Sequence, residues 1–268
     1  MTDRPASPGS ATSGSSPHED SRDELVRLTR SLGEPERDLV ILAEGNTSVS
    51  AGDGTFWVKA SGVRMRAAGR DDFVRMSAAP LIALLDGPEL TEGELKAATI
   101  AARIEGELSP SIEAIFHALC THEFGAFSAA HTHPTAVNSI LCSTRSEELG
   151  RGVLFPDQAV ILGAETVFVP YQAPGIALAR AVRDALRDFV DRTGERPRTV
   201  WLENHGLLAL GSSTAEVLAI VEMASKFARI LAGALAVGEP RWLSSEQAHS
   251  LVKRDDEVER LALIVRGE

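Results

Sequence analysis

Apolar positions along the chain recur with two different periods. After Ser21, the residues Leu25, Val26 and Leu28 fall at helical spacing, and Ser21 with Glu24 forms a capping-box pattern that predicts a helix start there. Near Asn46 the period drops to two: TSVS, the turn AGDG and TFWVKAS predict a hairpin turning at Gly52 to Gly54. Residues 81–85 and 94–106 return to helical spacing, and Ser109-Pro110-Ser111 opens a helix over SIEAIFHALCTH. A short buried strand FSAAH (127–131) precedes a helix opened by Pro134, and TVFVPY (166–171) reads as another strand. Residues 175–192 are strongly amphipathic, with Ile176, Leu178, Ala179, Val182, Leu186, Phe189 and Val190 on one side. Two further strands, TVWLEN (199–204) and GLLALG (206–211), meet at His205, and a long helix follows them. No internal repeat is evident. Strands in hairpin-like order mixed with helices predict an α/β layered domain with a mixed or antiparallel sheet.

Composition limits what such a domain does. The first 21 residues are rich in Ser, Pro, Gly, Ala and Thr and carry almost no large apolar side chain, so they are expected to be a disordered tail. Across 268 residues, 27 Lys+Arg stand against 38 Asp+Glu, a net charge of −11. An acidic surface argues against nucleic acid as a partner, because neutralising phosphates takes a concentrated basic face. No stretch approaches the roughly 18 apolar residues of a membrane span, and the first ten residues lack the basic and apolar regions of a secretory signal. A cytoplasmic protein without a membrane partner is the expectation. Cys120 and Cys142 are too few for a disulfide scaffold and are expected to be small apolar core residues.

The histidines carry the chemistry. His131 and His133 flank one residue at the end of a predicted strand, so strand alternation points both rings to one face, and Pro134 fixes the turn beyond them. His205 sits between two apolar strands, with Gly206 expected to let the backbone turn sharply beside it. Three imidazoles would leave an open position on zinc, as in a catalytic site; the alternative is three hydrogen-bonded loop histidines. His117, His122 and His249 have no such context and receive no role. A metal that polarises a carbonyl needs a base beside it, and Glu113, in the expected first helical turn after Pro110, is the best-placed carboxylate; a first-turn glutamate is also a common stabiliser. Gly45, Asn46, Thr47, Ser61, Gly62 and Ser111 offer amides and hydroxyls that suit a phosphate or carboxylate, although tight turns select the same residue types. Neither GxGxxG nor GxxxxGK[ST] occurs.

The segments EGNTS (44–48), WVKASG (57–62), PSIEAIFHAL (110–119), AHTHP (130–134) and ENHGLLALG (203–211) resemble, in this order, the class II aldolase/adducin superfamily. Within it, WVKASG, PSIE and FPDQAVILG (155–163) are most similar to the aldolase portion of rhamnulose-1-phosphate aldolase/alcohol dehydrogenases, with no dehydrogenase portion following. The resemblance implies a three-layer α/β/α fold with a central, mainly antiparallel sheet over residues 22–240, leaving 241–268 as a helical extension. It implies a homotetramer with sites between subunits, and Zn²⁺ or another divalent metal on His131, His133 and His205, with Glu113 as further ligand and proton-transfer base. Asn46, Ser61, Gly62 and Ser111 match positions that hold a substrate phosphate.

The activity so implied is a zinc-dependent lyase that cleaves a ketose or ketose phosphate through the enediolate of a dihydroxyacetone-like fragment. Two departures stand out: Ile112 replaces a second serine before the glutamate, removing a hydroxyl from the phosphate cradle, and the one tyrosine, Tyr171, matches no tyrosine acid of the family. Three rivals follow. The same zinc site serves epimerases and a dehydratase; Lys59, one of four lysines, suits a Schiff-base aldolase; and adducin heads suggest a non-catalytic interaction module.

Overall fold

The computed structural model describes residues 17–266. The expected tail lies, over residues 1–16, outside the described residues. Helix α1 (Pro17–Leu32) begins ahead of Ser21, so Ser21 is a buried helical residue and not the cap that its spacing with Glu24 suggested.

The strands are β1 (Asn46–Ser50), β2 (Thr55–Lys59), β3 (Phe73–Ser77), β4 (Arg103–Glu105), β5 (Ser128–Thr132), β6 (Val167–Val169), β7 (Thr199–Leu202) and β8 (Gly206–Gly211). They form one eight-stranded sheet in the order β4-β3-β2-β1-β5-β8-β7-β6. Every neighbouring pair is antiparallel except β6 with β7. The predicted hairpin is β1–β2, and its turn uses Gly52 and Gly54 at φ +81° and +80°. Such dihedrals suit glycine because a Cβ there meets the carbonyl oxygen.

Helices α2 (Ala78–Ala83), α3 (Glu92–Ala101), α4 (Ala114–Ala118), α5 (Thr135–Leu141), α6 (Pro156–Leu162), α7 (Ile176–Thr193) and α8 (Thr214–Val237) cover both faces. Period-two alternation sorts the sheet residues between two cores. Val58, Val74, Ala129, Leu208 and Leu210 pack with Leu81, Phe116 and the apolar stripe of α7, whereas Ala130, Leu207, Ala209 and Trp201 pack with α5, α6 and α8. This is the expected three-layer α/β/α arrangement around a mainly antiparallel sheet. Two shorter helices, α9 (Ser245–Val252) and α10 (Asp255–Arg266), follow α8.

Local pattern fails at several points. The helical spacing of 94–106 ends at Ala101, and Arg103–Glu105 pairs with β3 as an edge strand, because nonlocal ladder bonds outweigh modest helix propensity over three residues. The helix expected from Ser111 starts only at Ala114, since Pro110 is engaged in an isolated bridge with Ala60. Cys120 is buried as expected, but Cys142 is exposed just past the C-terminus of α5.

Candidate metal centre

The register of the central strands builds the site. Asn46 on β1 stands opposite His131 on β5, which in turn pairs with Leu208 on β8. Residues directly opposite in a ladder share a face, so Asn46 and His131 lie on the side that α4 covers, where Phe116 meets the His131 ring edge-on at 6.1 Å between centroids. His133 follows β5 at the same sheet end, and its N–H donates to Leu39 O at 3.1 Å. His205 closes the β7–β8 turn.

That turn differs from the expectation. Asn204 takes the positive φ, +53°, while Gly206 is needed for space: a Cβ there would lie 2.5 Å from His133 Cδ2 and 2.6 Å from Thr132 O. Asn138 on α5 steadies the turn by donating to His205 O at 3.1 Å. Gly45 is required for both reasons, with φ +70° and a Cβ position 2.9 Å from His131 O.

The three rings turn their Nε2 atoms on one another, 2.9 Å between His133 and His131 and 3.2 Å between His131 and His205. His131 Nδ1 lies 3.0 Å from Leu207 O and His133 Nδ1 3.3 Å from a Glu44 oxygen. Those partners only accept, so each Nδ1 carries a hydrogen, and Nε2 is the nitrogen that each ring turns to the centre. Lone pairs facing at this range repel unless a cation lies between them. Nitrogens on tetrahedral zinc stand about 3.3 Å apart, given bonds of about 2.0 Å, and the described cluster is close to that spacing. Burial pushes the His131 pKa well below the ordinary value, which keeps the ring in the neutral form a metal needs.

Glu113 completes the group. Its Oε1 lies 3.6 Å from His131 Nε2 and 3.3 Å from His205 Nε2, and its Oε2 accepts a hydrogen from Asn46 Nδ2 at 2.7 Å. Burial alone would raise its pKa; in the metal-free protein its interactions with the His131 and His205 rings and the hydrogen bond from Asn46 outweigh that and hold it below the usual carboxylate range. Glu113 sits at the N-cap of α4, one step ahead of the expected first turn, and its N–H donates to Ser111 Oγ at 3.2 Å. The donor set of three imidazoles and a carboxylate therefore fits zinc or another borderline divalent ion.

Of the expected anion-binding residues, Gly45 and Asn46 lie beside the histidines. Ser61 and Gly62 occupy an exposed turn that meets the Ser109–Ser111 segment, with Ser61 N–H donating to Ser109 O at 2.9 Å. Thr47 does not join them. It is the next residue along β1 after Asn46, so the pleat turns it to the opposite face, where its Oγ bonds Thr29 Oγ at 2.6 Å. Ile112 is packed against the apolar core on the α4 side.

Lys59 is 2% exposed, and its Nζ donates to Val63 O at 2.7 Å and Ala60 O at 3.3 Å. Burial lowers its pKa from 10.5 to about 8, against the opposing pull of Glu113 and Asp72. A Schiff-base amine needs a free lone pair within reach of a carbonyl; this one is tied inside the turn that carries Ser61 and Gly62. His117, given no role by spacing, is fully buried beside Asn46.

Residues 23–232 match the family model of the class II aldolase and adducin N-terminal domain. The chain belongs to this family. L-fuculose 1-phosphate aldolase superposes on it with a TM-score of 0.66 at 22% identity, covering 91% of this chain and 96% of that one. The N-terminal class II aldolase domain of a conserved protein from Thermoplasma acidophilum gives 0.60 at 24% identity, covering 85% and 99%. YgbL from Klebsiella pneumoniae, a putative aldolase/epimerase/decarboxylase, gives 0.65 at 20% identity, covering 87% and 98%. At these identities the likeness establishes the fold. An uncharacterized oxidoreductase, YuxG of Bacillus subtilis, is 23% identical over 218 residues; they are 76% of this chain, which spans only 29% of that relative's length. Within the described residues no helix is long and apolar enough to cross a membrane.

Proposed function

We propose that the chain is a zinc-dependent class II aldolase acting on a ketose or ketose phosphate. The observation that carries this reading is the convergence of His131, His133 and His205 Nε2 on one point, with the Glu113 carboxylate beside them. The three histidines and Glu113 would hold the metal, which when bound supplies the positive charge that polarises a hydroxy-ketone. Glu113, ionised and oriented by Asn46, takes the proton from the carbon next to that carbonyl and returns it in the reverse direction. Asn46, Ser61, Gly62 and Ser111 would grip the anionic end of the substrate, since the Ala60–Pro110 bridge sets the two loops side by side. On an acidic chain the resident cation also supplies local positive potential for that anion. Ile112 removes one hydroxyl from this grip, which favours a ketose with a weaker anionic demand than a full phosphate cradle serves.

We place the enzyme in the cytoplasm as a homotetramer. The exposed apolar pair Ile41 and Leu42, 63% and 72% accessible and only a few residues from Glu44, supports burial of this edge against a second copy.

Exchange of the hydroxymethyl protons of dihydroxyacetone phosphate and of dihydroxyacetone into deuterated water, followed by proton NMR, tests the reaction. Exchange is expected with zinc, lost on chelation and restored by zinc. Exchange that survives complete chelation overturns the metal mechanism, and borohydride trapping of Lys59 would then identify the other aldolase class.

A further inference from the structure

The polar group behind Glu113 is as ordered as the one in front of it. His117 has no accessible surface, yet both ring nitrogens are engaged: Nδ1 stands 2.6 Å from Ser48 Oγ, and Nε2 contacts Asn46 Oδ1. Asn46 Nδ2 then donates to Glu113 Oε2 at 2.7 Å. Two spacings produce this lattice. Asn46 and Ser48 are alternate residues of β1 and share a face, while Glu113 and His117 are four apart and lie above one another at the start of α4.

The direction of every hydrogen in the chain follows from its carboxylate end. An ionised carboxylate only accepts, so the Asn46 amide must turn its NH₂ to Glu113 and its oxygen to His117. That oxygen only accepts, so His117 carries its hydrogen on Nε2. Burial lowers the His117 pKa from 6.5 to about 4, so the ring holds a single hydrogen at neutral pH and its Nδ1 is bare. Ser48 Oγ–H therefore donates to Nδ1. The strand is itself fixed by Ser128 Oγ donating to Ser48 O at 2.9 Å.

We propose that His117 is a positioning residue which, through Asn46, locks the Glu113 carboxylate with Oε2 tied back and Oε1 presented to the three histidines. The proposal rests on the reading of Glu113 as metal donor and base. An apolar residue of similar volume would fill the same space, but it would leave the buried Asn46 Oδ1 without a donor, so the amide would be held at its Glu113 end alone. A donor at the Nε2 position is what anchors the other end of the amide and so fixes where its NH₂ meets Oε2.

The test is zinc affinity of the full chain, measured by competition with a chromophoric chelator, in His117→Leu, His117→Gln and Ser48→Ala, with the melting transition of each recorded alongside. Outer-shell partners of metal ligands typically change affinity by roughly 10- to 100-fold. His117→Leu is expected to weaken zinc binding within that range. His117→Gln keeps a donor near the Nε2 position and is expected to stay within about threefold of wild type; Ser48→Ala is expected to fall between the two. A His117→Leu protein that melts cooperatively and binds zinc as wild type does overturns the proposal, as does a Gln variant that loses as much as Leu. Should the Leu variant fail to fold, unchanged affinity in Ser48→Ala overturns it equally. A wild-type protein that binds no zinc sinks the metal reading and this inference together, whereas wild-type binding with indifferent variants sinks this inference alone.

Discussion

Glu44 reaches His133 from the side away from the cluster centre: one carboxylate oxygen lies 3.3 Å from His133 Nδ1, and the other accepts the Ile41 N–H at 2.6 Å. His131 is oriented differently, by the main-chain Leu207 O. A histidine whose Nδ1–H is held by a carboxylate is a stronger Nε2 donor and has one fixed tautomer. Glu44→Ala is therefore expected to weaken zinc binding about tenfold, with Glu44→Gln closer to wild type because its amide oxygen still accepts. Chelator competition at constant pH measures this. Equal affinity in the Ala variant would reduce Glu44 to a stabiliser of the 38–45 loop.

A substitution at Glu113 separates its proposed part in metal binding from its proposed part in proton transfer. In Glu113→Gln the three imidazoles remain, so zinc is expected to stay bound, though less tightly. Proton exchange on the dihydroxyacetone fragment is expected to fall by roughly 10²- to 10⁴-fold, the usual contribution of a positioned base. Metal analysis beside the NMR exchange assay reads both quantities on one sample. Normal exchange in this variant would remove Glu113 from the base role.

How much of this was legible in the chain follows the range of the forces involved. His131, His133 and His205 could be read from spacing because strand alternation and a strand-end turn are local rules, and Pro134 marks the turn. Glu113 could be placed near the start of a helix, though the Ala60–Pro110 bridge moved that start by three residues. What decided Asn46 over Thr47 was nonlocal. The ladder begins at Asn46 and pairs it with His131, so the pleat sends Thr47 to the other face; the string GNT read alone suggests one loop. His117 was missed for the same reason, since its partners lie 69 and 71 residues away on β1. The available signal was paired periodicity, N-x-S on a strand and E-x-x-x-H at a helix start. Gly206 was recognised as necessary but for the wrong cause, because the packing of His133 against its α-carbon depends on how β5 sits beside β8.

That packing gives a sharp expectation for Gly206→Ala. Its Cβ would meet His133 Cδ2 and the Thr132 carbonyl, and because one obstacle is backbone, His133 must move. Overpacking of this kind costs about 1–3 kcal/mol, and here it also displaces a proposed ligand. Urea unfolding is expected to show that loss, and zinc affinity to fall together with it. Gly52→Ala is the control for backbone strain alone, since open space surrounds its Cβ position while φ is +81°. A Gly206→Ala protein with wild-type zinc affinity would mean that the ring relaxes without cost to the site.

The buried His117 ring also sets a pH dependence of stability in the metal-free protein. Unfolded, it gains a proton as pH falls through 6.5; folded, it resists protonation until about 4, because burial disfavours the charged ring. Between those values the unfolded state binds more protons, so stability rises with pH and is lost on acidification through this window. At about 1.4 kcal/mol per pH unit for one proton, the full window amounts to roughly 3 kcal/mol. Glu113, held below its ordinary range, adds a loss of the same sign once pH falls below 4.5, where the unfolded carboxylate protonates first. Comparing urea unfolding of wild type and His117→Gln from pH 7 to pH 4, with chelator present throughout, isolates the histidine. The Gln variant is expected to lose stability with a slope shallower by up to one proton between pH 6.5 and 4, and to run parallel to wild type above pH 7. Parallel curves across the whole range would mean that the folded protein accommodates a charged His117, and the single-hydrogen chain from Ser48 to Glu113 would lose its fixed direction.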